Sequence, residues 1–241
     1  MKRILLMVFR NIVLVPFMWI KLCYHARHVE KYTEEEHYKM LQFICHRANK
    51  GGNVTIDAHG LENIPDKSGF MFFPNHQGLY DVLAIVDVCP YPFSVVAKKE
   101  VANIQFLKQV FACMRAYMLD REDVRQAMQV IIDVANEVKK GRNYLIFAEG
   151  TRSKKGNHPG EFKGGSFKAA TKAKCPIVPV ALIDSFKPFD TSSINPVTVQ
   201  VHFLKPLYYE EYKNMKTTEI ASIVKERIEK TIQNNTNDKR K

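Results

Sequence analysis

His76 and Asp81 are the pair of residues in this 241-residue chain whose types and spacing best suit acid–base chemistry. Histidine ionises near neutral pH, and a carboxylate bound to one ring nitrogen fixes its tautomer and makes the other nitrogen a better general base. Residues five apart on a regular helix do not share a face. The two side chains can therefore meet only if His76 lies in a turn and Asp81 in the first turn of the following helix.

The sequence around the pair favours this arrangement. Residues 71–73 are an apolar run typical of a buried strand, Pro74 and Gly78 mark a turn, and residues 81–86 begin an apolar helical segment. A histidine near an aspartate is also common as a purely structural pair. The spacing alone leaves both interpretations open.

A second candidate site follows the apolar run 145–148. Glu149, Gly150, Thr151 and Arg152 form a turn with a carboxylate, a glycine and a guanidinium. A buried pair of Glu149 and Arg152 would position the guanidinium, whose planar fork binds phosphate through two hydrogen bonds. Gly150 would let the backbone approach a ligand closely. A salt-bridged turn without a ligand has the same sequence pattern.

The elements that must position these residues alternate between strand and helix. The predicted strands are 54–58, 70–73, 93–97, 116–119, 144–148, 177–182 and 197–204, and the predicted helices are 81–88, 101–114, 123–140, 166–174 and 217–233. This alternation predicts an α/β domain with a mostly parallel mixed sheet flanked by helices. The polar and apolar alternation of 197–203 favours a half-exposed edge strand.

In such a sheet the carboxyl ends of parallel strands meet at one edge. Four polar segments follow four predicted strands: His76 to Asp81, Lys98 to Glu100, Asp120 with Arg121, and Glu149 to Ser153. We therefore expect these segments to lie close together.

The N-terminal residues 1–52 precede this domain and differ from it. Residues 1–24 are apolar, but Arg10 and Pro16 interrupt them, so the uncharged stretch is shorter than the roughly 20 residues of a membrane span. Thr33 and Glu36 form a capping box for a second helix. We expect a two-helix membrane-docking motif at the cytoplasmic face of the cell membrane, either monotopic or a single N-terminal anchor, followed by an α/β domain over 53–233 and a polar tail over 234–241.

The composition indicates anionic partners. Lys and Arg number 36 against 25 Asp and Glu, a formal net charge of +11. A phospholipid surface and a phosphorylated substrate both fit this charge. Nucleic acid is not expected, because the basic residues are dispersed and no nucleic-acid-binding motif occurs. The five cysteines show no paired spacing, and His76 and Asp81 lack further ligands at a metal-binding spacing.

The two candidate sites together resemble the glycerolipid acyltransferases of the PlsC type. The resemblance is carried by Asn75-His76-x4-Asp81 and Phe147-x-Glu149-Gly150-Thr151-Arg152-Ser153 in this order, with support from Lys98-x-Glu100-Val101 and residues 178–182. Two positions depart from the family pattern. Arg115 stands where these proteins usually have glycine, and Ala148 stands where a proline is common.

The resemblance implies transfer of a fatty acyl group from a thioester, on acyl carrier protein or coenzyme A, to the sn-2 hydroxyl of lysophosphatidate, which gives phosphatidate. It implies a catalytic pair of His76 and Asp81, with no cofactor beyond the acyl donor. The substrate-binding residues would be Lys98, Arg121, Glu149, Gly150, Thr151 and Arg152. The acyl chain would need an apolar tunnel, with candidate lining from Phe72, Leu79, Leu83, Val101, Phe106 and Phe111.

Two alternatives remain open at this point. The acceptor could instead be glycerol 3-phosphate, another lysophospholipid or a lyso-ornithine lipid, because the motifs scarcely discriminate among them. The chain could also be a non-catalytic protein that binds anionic membranes, in which case His76 and Asp81 are dispensable.

Overall fold

A computed structural model describes residues 2–120 and 122–237 of the chain. The strands are β1 (Val54–His59), β2 (Met71–Pro74), β3 (Ser94–Lys98), β4 (Tyr117–Leu119), β5 (Tyr144–Leu145), β6 (Ile177–Ile183) and β7 (Val197–Phe203). The α-helices are α1 (Lys2–Arg10), α2 (Val15–Arg27), α3 (Glu34–Gly51), α4 (Asp81–Val88), α5 (Gln105–Cys113), α6 (Val124–Lys139), α7 (Lys168–Ala173), α8 (Lys187–Asp190), α9 (Tyr209–Tyr212) and α10 (Thr217–Asn237). The predicted α/β class is confirmed.

The seven strands form one mixed sheet in the order β1-β7-β6-β2-β5-β3-β4. Five neighbouring strands, β6 to β4 in that order, are parallel, whereas β7 is antiparallel to β6 and parallel to β1. The carboxyl ends of β2, β3, β4 and β5 therefore meet at one edge of the sheet. This places the polar segments predicted to follow these strands at a common edge, the third of them as far as Asp120.

Two apolar cores cover the two faces of the sheet. Phe72 faces the core formed with α3, α4 and α5, and Met71 and Phe73 face the core formed with α6, α7 and α10. Side chains of a strand alternate between faces, so a strand buried on both faces is apolar throughout, as β2 is. The ring of Phe73 stacks on Phe167 at 4.2 Å between centroids.

The prediction that β7 is a half-exposed edge strand is wrong. β1 pairs with β7 on its outer side, so β7 is an inner strand and β1 and β4 are the edges. Its polar residues Gln200 and His202 are buried and bond to each other at 2.8 Å, and the ring of His202 stacks on His59. Gln200 and His202 therefore reflect a buried polar contact and not exposure to water.

The apolar N-terminal segment folds as two helices. α1 and α2 meet at a 98° bend, and no single helix in the described part of the chain is long and apolar enough to span a membrane; only this bent pair passes by length and composition. The predicted capping box of α3 is confirmed, since Thr33 Oγ1 accepts from the amide of Glu36 and the Glu36 carboxylate accepts from the amide of Thr33.

Arg3 attaches α1 to the sheet domain. Its buried guanidinium donates to the carbonyl oxygen of Gly52 at 2.5 Å and to the carbonyls of Ser193 and Asn195 at 2.9 Å each. A charged group with several carbonyl partners is costly to remove from its site. The first helix is thus fixed to two separate loops of the α/β domain.

At the other end of the chain, α10 continues to Asn237, so the residues predicted to begin a polar tail at position 234 are helical. The division into segments 1–52, 53–233 and 234–241 remains a prediction, and residues 238–241 lie outside the described part.

Candidate active site

Asn75, the first residue after β2, uses its side chain to make hydrogen bonds like those between strands. Asn75 Nδ2 donates to the carbonyl oxygen of Leu182 at 3.0 Å, and the amide of Leu182 donates to Asn75 Oδ1 at 2.7 Å. Pro74 has no amide hydrogen and ends the strand pairing, whereas the Asn75 side chain continues the pairing to β6 for one more step. The next residue is thereby held at the carboxyl edge of the sheet.

That next residue is His76, and it meets Asp81. Its Nδ1 lies 2.7 Å from Asp81 Oδ2, and its ring stacks on Phe147 with centroids 3.9 Å apart. The imidazole is 21% exposed and Asp81 is fully buried at the start of α4. The expected turn-and-helix geometry is confirmed. A proton on Nδ1 shared with the carboxylate leaves Nε2 able to accept a proton from a substrate.

The Asp81 carboxylate is held by several donors besides the histidine. Oδ2 accepts from the amides of Gln77 at 2.6 Å and Gly78 at 3.0 Å. Oδ1 accepts from Ser185 Oγ at 2.5 Å, and the Gly78 amide also lies 3.1 Å from it. Several donors on one buried carboxylate restrict its rotation. Asp81 is thus fixed in position and available as a partner for a protonated imidazole.

Glu149 occupies the site differently from the prediction. Its Oε1 accepts from the amide of His76 and its Oε2 from the amide of Gly160, each at 2.7 Å, while Arg152 is exposed. No ion pair joins Glu149 to Arg152 in the described ranges, so the predicted buried pair is wrong. Backbone amides satisfy the buried carboxylate instead. Burial raises the pKa of the Glu149 carboxyl, and the two amides oppose that rise.

Glu149→Gln should lower the thermal unfolding midpoint by about 2–10 °C, because one amide oxygen cannot serve both buried N–H groups. The NH2 group of the glutamine side chain would lie against the second backbone N–H, so two donors would face each other. The measurement is thermal denaturation followed by circular dichroism. Glu161→Gln is the matched control, since the Glu161 side chain is 89% exposed in its pair with Lys225. An equal change in both variants would contradict the role given to Glu149.

Gly150, Thr151 and Arg152 form the outer part of the same loop. Gly150 has a φ of 72°, a left-handed conformation that glycine adopts without strain, and its amide donates to the Phe147 carbonyl. Thr151 and Arg152 are exposed. Lys163 lies across the turn, with Nζ 3.4 Å from where a Cβ on Gly150 would be. Exposed cations therefore lie on and across this loop, and the amide of Ser153 in the same loop donates to the His76 carbonyl at 2.7 Å.

Lys98 and Arg121 follow the neighbouring strands. Lys98 ends β3 and pairs with Glu100 at 2.8 Å, with both side chains nearly half exposed. Arg121 follows β4 but lies outside the described residues. Arg115, which stands where the resemblance leads us to expect glycine, has a φ of 50°. The backbone thus keeps a glycine-like conformation, and the guanidinium bonds to Glu30 at 3.2 Å.

An apolar cavity of about 510 Å³ adjoins the His76 and Asp81 loop. Its lining comes mainly from α1 to α5 and includes Leu79, Tyr80, Val82 and Leu83, which flank Asp81 in the chain. Of the six predicted lining residues, Leu79, Leu83 and Phe106 line the cavity, while Phe72 and Phe111 lie in the core and Val101 packs against that core.

Within residues 2–120 and 122–237, no group of three or more His, Cys, Asp or Glu side chains is placed to hold a metal ion.

Ser185 and Gln77 also belong to the site, although the sequence did not indicate them. Ser185 is 104 positions from Asp81, and the two touch only because β6 lies beside β2 in the sheet. A single serine after a strand carries no sequence signal. The nearest available clue was Gln77, which lies directly after His76.

Comparisons with known proteins agree with this site. The family model described as Acyltransferase matches residues 55–183. A 1-acyl-sn-glycerol-3-phosphate acyltransferase of Borreliella burgdorferi is 30% identical over 185 residues, which cover 75% of this chain and 72% of the relative. The enzyme of that name from Salmonella typhimurium is 31% identical over 164 residues, covering 67% of this chain and 66% of the relative.

A solved structure has the same fold. The crystal structure of the 1-acyl-sn-glycerophosphate (LPA) acyltransferase PlsC from Thermotoga maritima aligns with a TM-score of 0.72 and 20% identity, covering 95% of this chain and 98% of that one. The matched segment 55–183 contains both His76 and Glu149. The chain therefore belongs to the acyltransferase family.

Proposed function

We propose that this chain transfers a fatty acyl group from an acyl thioester to the sn-2 hydroxyl of lysophosphatidate and so forms phosphatidate in phospholipid synthesis. The carrier of the thioester is acyl carrier protein or coenzyme A. The observation that carries the proposal is the 2.7 Å contact of His76 with Asp81 beside an apolar cavity of about 510 Å³. The names of the relatives support the choice of acceptor.

In this proposal His76 is the general base. Nε2 accepts the proton of the sn-2 hydroxyl as its oxygen attacks the thioester carbonyl carbon, and Asp81 stabilises the resulting imidazolium. The tetrahedral intermediate then collapses and the carbon–sulfur bond breaks. The imidazolium returns its proton to the leaving thiolate, so the histidine is neutral again after each turnover.

Backbone amides of the 149–153 loop are the proposed donors to the oxyanion. The Gly150 amide is already bonded to the Phe147 carbonyl, but the amides of Thr151 and Arg152 have no acceptor within the described residues. Donors that are free and fixed in place stabilise charge as it develops. The amides of Thr151 and Arg152 are therefore the proposed pair of oxyanion donors.

The acceptor phosphate is bound by cations around the same loop. Arg152 and Lys163 are exposed, and Lys163 lies across the turn at Gly150. Arg121 is retained as a proposed phosphate ligand on the family resemblance. Lys98 would have to leave Glu100 to join them. An exposed pair of this kind contributes about 0–1 kcal/mol, so a phosphate dianion can displace it.

The apolar cavity is the proposed site of an acyl chain. Burial of a chain there removes its methylene groups from water at about 0.8 kcal/mol each, and Leu79 and Leu83 place the cavity next to the catalytic loop. A carbonyl group at the mouth of the cavity would then lie beside His76.

Ile44→Trp should reduce turnover of long-chain relative to short-chain acyl thioesters by about tenfold, the effect of excluding two methylene groups. Ile44 lines the cavity from α3, and an indole there fills part of it. The measurement is kcat/KM for a series of chain lengths. Phe43→Trp is the matched control, because Phe43 is on the outer side of the same helix turn. An unchanged chain-length preference in Ile44→Trp would contradict the assignment of the cavity.

Membrane docking by α1 and α2 is part of the proposal. The two helices and the bend between them expose large apolar side chains that are more than 60% accessible, namely Leu5, Phe9, Ile12, Val13, Phe17 and Ile20. An unpartnered apolar face flanked by basic residues suits the surface of an anionic bilayer. Such docking would place the cavity, which α1 and α2 help to line, next to the lipid acceptor at the cytoplasmic face.

The test of the proposed function is an acyl-transfer assay with purified protein in detergent. Each candidate acceptor is offered with a labelled thioester on each carrier: lysophosphatidate, glycerol 3-phosphate, other lysophospholipids and lyso-ornithine lipid. We expect the highest kcat/KM with lysophosphatidate. A higher kcat/KM with another acceptor would support acyl transfer and reject lysophosphatidate as the substrate. Lack of transfer to any acceptor, with vesicle binding intact, would favour the non-catalytic alternative.

A further inference from the structure

Asp81 is a fully buried carboxylate whose described partners include no lysine or arginine. A buried charge without a cation depends on its hydrogen-bond donors. Those donors are the amides of Gln77 and Gly78, the ring of His76 and the hydroxyl of Ser185. Three of the four come from the loop that precedes Asp81. Ser185 is the exception, because it reaches the carboxylate from the segment after β6.

Ser185 is itself held on several sides. It is fully buried, and its amide and its Oγ each lie 2.9 Å from Gln77 Oε1. A hydroxyl has one proton, and the shorter 2.5 Å contact to Asp81 Oδ1 directs that proton to the carboxylate. The Gln77 oxygen already accepts from the Ser185 amide. The serine side chain therefore has one preferred direction for its donation.

The orientation of the Gln77 amide is fixed from its other end. Gln77 Nε2 donates to the Leu182 carbonyl at 3.1 Å and to Asn157 Oδ1 at 2.8 Å. Asn157 Oδ1 also accepts from the amide of Asp184, and its Nδ2 donates to the Asp184 carboxylate. Because each amide has its oxygen and nitrogen assigned by these partners, neither can flip without losing bonds. This network joins the loops after β2, β5 and β6 around Asp81.

We propose that Ser185 is a positioning residue for the acyl-transfer reaction: its hydroxyl binds Asp81 Oδ1 and so reserves Oδ2 for the ring of His76. The proposal rests on the proposed role of His76 as general base. Without Ser185, Oδ1 would keep only the amide of Gly78, which lies 3.1 Å from Oδ1 and 3.0 Å from Oδ2 and so does not distinguish the two oxygens. With Oδ1 bound to Ser185, the oxygen that orients the imidazole is always the same one.

Other charged groups near His76 and Asp81 also influence the pH dependence of the reaction. Glu149 bonds to the amide of His76 from the β5 loop, and Asp190 of α8 lies beside Gly78. Asp184 pairs with Lys187 at 2.7 Å, and Lys163 lies over Gly150. None of these groups contacts Ser185 Oγ, so its removal leaves this background in place.

Ser185→Ala should reduce the plateau of kcat by about tenfold and move the acidic limb of the pH–rate profile upward by about half to one pH unit. A carboxylate that has lost a donor attracts the imidazolium more strongly, so the ring releases its proton at a higher pH. A purely structural role would reduce activity at every pH without moving the limb. The measurement is kcat against pH with saturating lysophosphatidate and acyl thioester.

Ser185→Thr keeps a hydroxyl and should return the limb to the wild-type position. Ser94→Ala is the matched control, because Ser94 is a buried serine that donates to the Arg115 carbonyl and not to Asp81. If Ser185→Ala does not fold, Ser185→Cys takes its place, since a thiol is a weak donor of similar shape and should show the same displacement. An unmoved limb in the folded variant would overturn the role of Ser185. Wild-type turnover by His76→Ala would instead reject His76 as the general base, and lack of acyl transfer by the wild-type protein would overturn the proposed function.

Discussion

His76→Ala is expected to reduce acyl transfer to lysophosphatidate by about 10²–10⁴-fold, the usual contribution of a general base. An alcohol is a poor nucleophile near neutral pH, and in the described part of the site the nitrogen of His76 opposite Asp81 is the proposed proton acceptor. The loss should appear in kcat, because the imidazole acts on the reacting hydroxyl and not on the acyl chain or the phosphate.

The measurement pairs turnover with vesicle flotation. His76→Ala should still float with anionic vesicles, because the exposed apolar residues of α1 and α2 are untouched. His46→Ala is the control, since His46 is a well-exposed histidine on α3. Near-normal turnover in His76→Ala would reject the mechanism. Loss of flotation together with turnover would indicate a folding defect.

Asp81→Ala should reduce turnover by about 10³-fold, because it removes the partner of the imidazolium and leaves buried donors without an acceptor. Asp81→Asn should reduce turnover by a smaller factor. Oδ2 accepts from His76 and two amides, so an asparagine can keep its oxygen there and place its nitrogen at the Oδ1 position. Ser185 Oγ can then accept from that nitrogen and donate to Gln77 Oε1. The asparagine variant keeps the tautomer of His76 and loses the charge.

The expected order of kcat is therefore wild type, Asp81→Asn and Asp81→Ala, measured under conditions where circular dichroism shows all three folded. Asp87→Asn is the matched control, as it removes a second, partly buried carboxylate from the same helix α4. If asparagine proved as damaging as alanine at position 81, the oxygen assignment described above would be incorrect.

The parts of the fold that depend on local patterns were predictable. The helix Asp81–Val88 has the predicted bounds, because apolar periodicity and the preceding turn are both local signals. The position of β7 was not predictable. Its alternation of polar and apolar residues suggested that one face is exposed to water, but the polar residues Gln200 and His202 are buried, and His202 stacks on His59 of β1. Strand order depends on pairings between distant segments.

The same distinction applies to the site. His76 and Asp81 are five residues apart, so the turn that joins them could be inferred from Pro74 and Gly78. Glu149 was identified, but its partner was not, because a sequence displays charged side chains and not the backbone amides of His76 and Gly160 that the carboxylate binds. Ser185 could be identified only from the order of the strands in the sheet, which brings β6 beside β2.

The attachment of α1 through Arg3 has a consequence for how this molecule would meet a lipid. Its guanidinium donates to the carbonyls of Gly52, Ser193 and Asn195, so α1 and the sheet domain are held together. For a chain that docks through α1 and α2, as proposed, the depth of insertion then fixes the height of His76 above the plane of the headgroups. An acceptor would be selected partly by how far its hydroxyl stands from that plane.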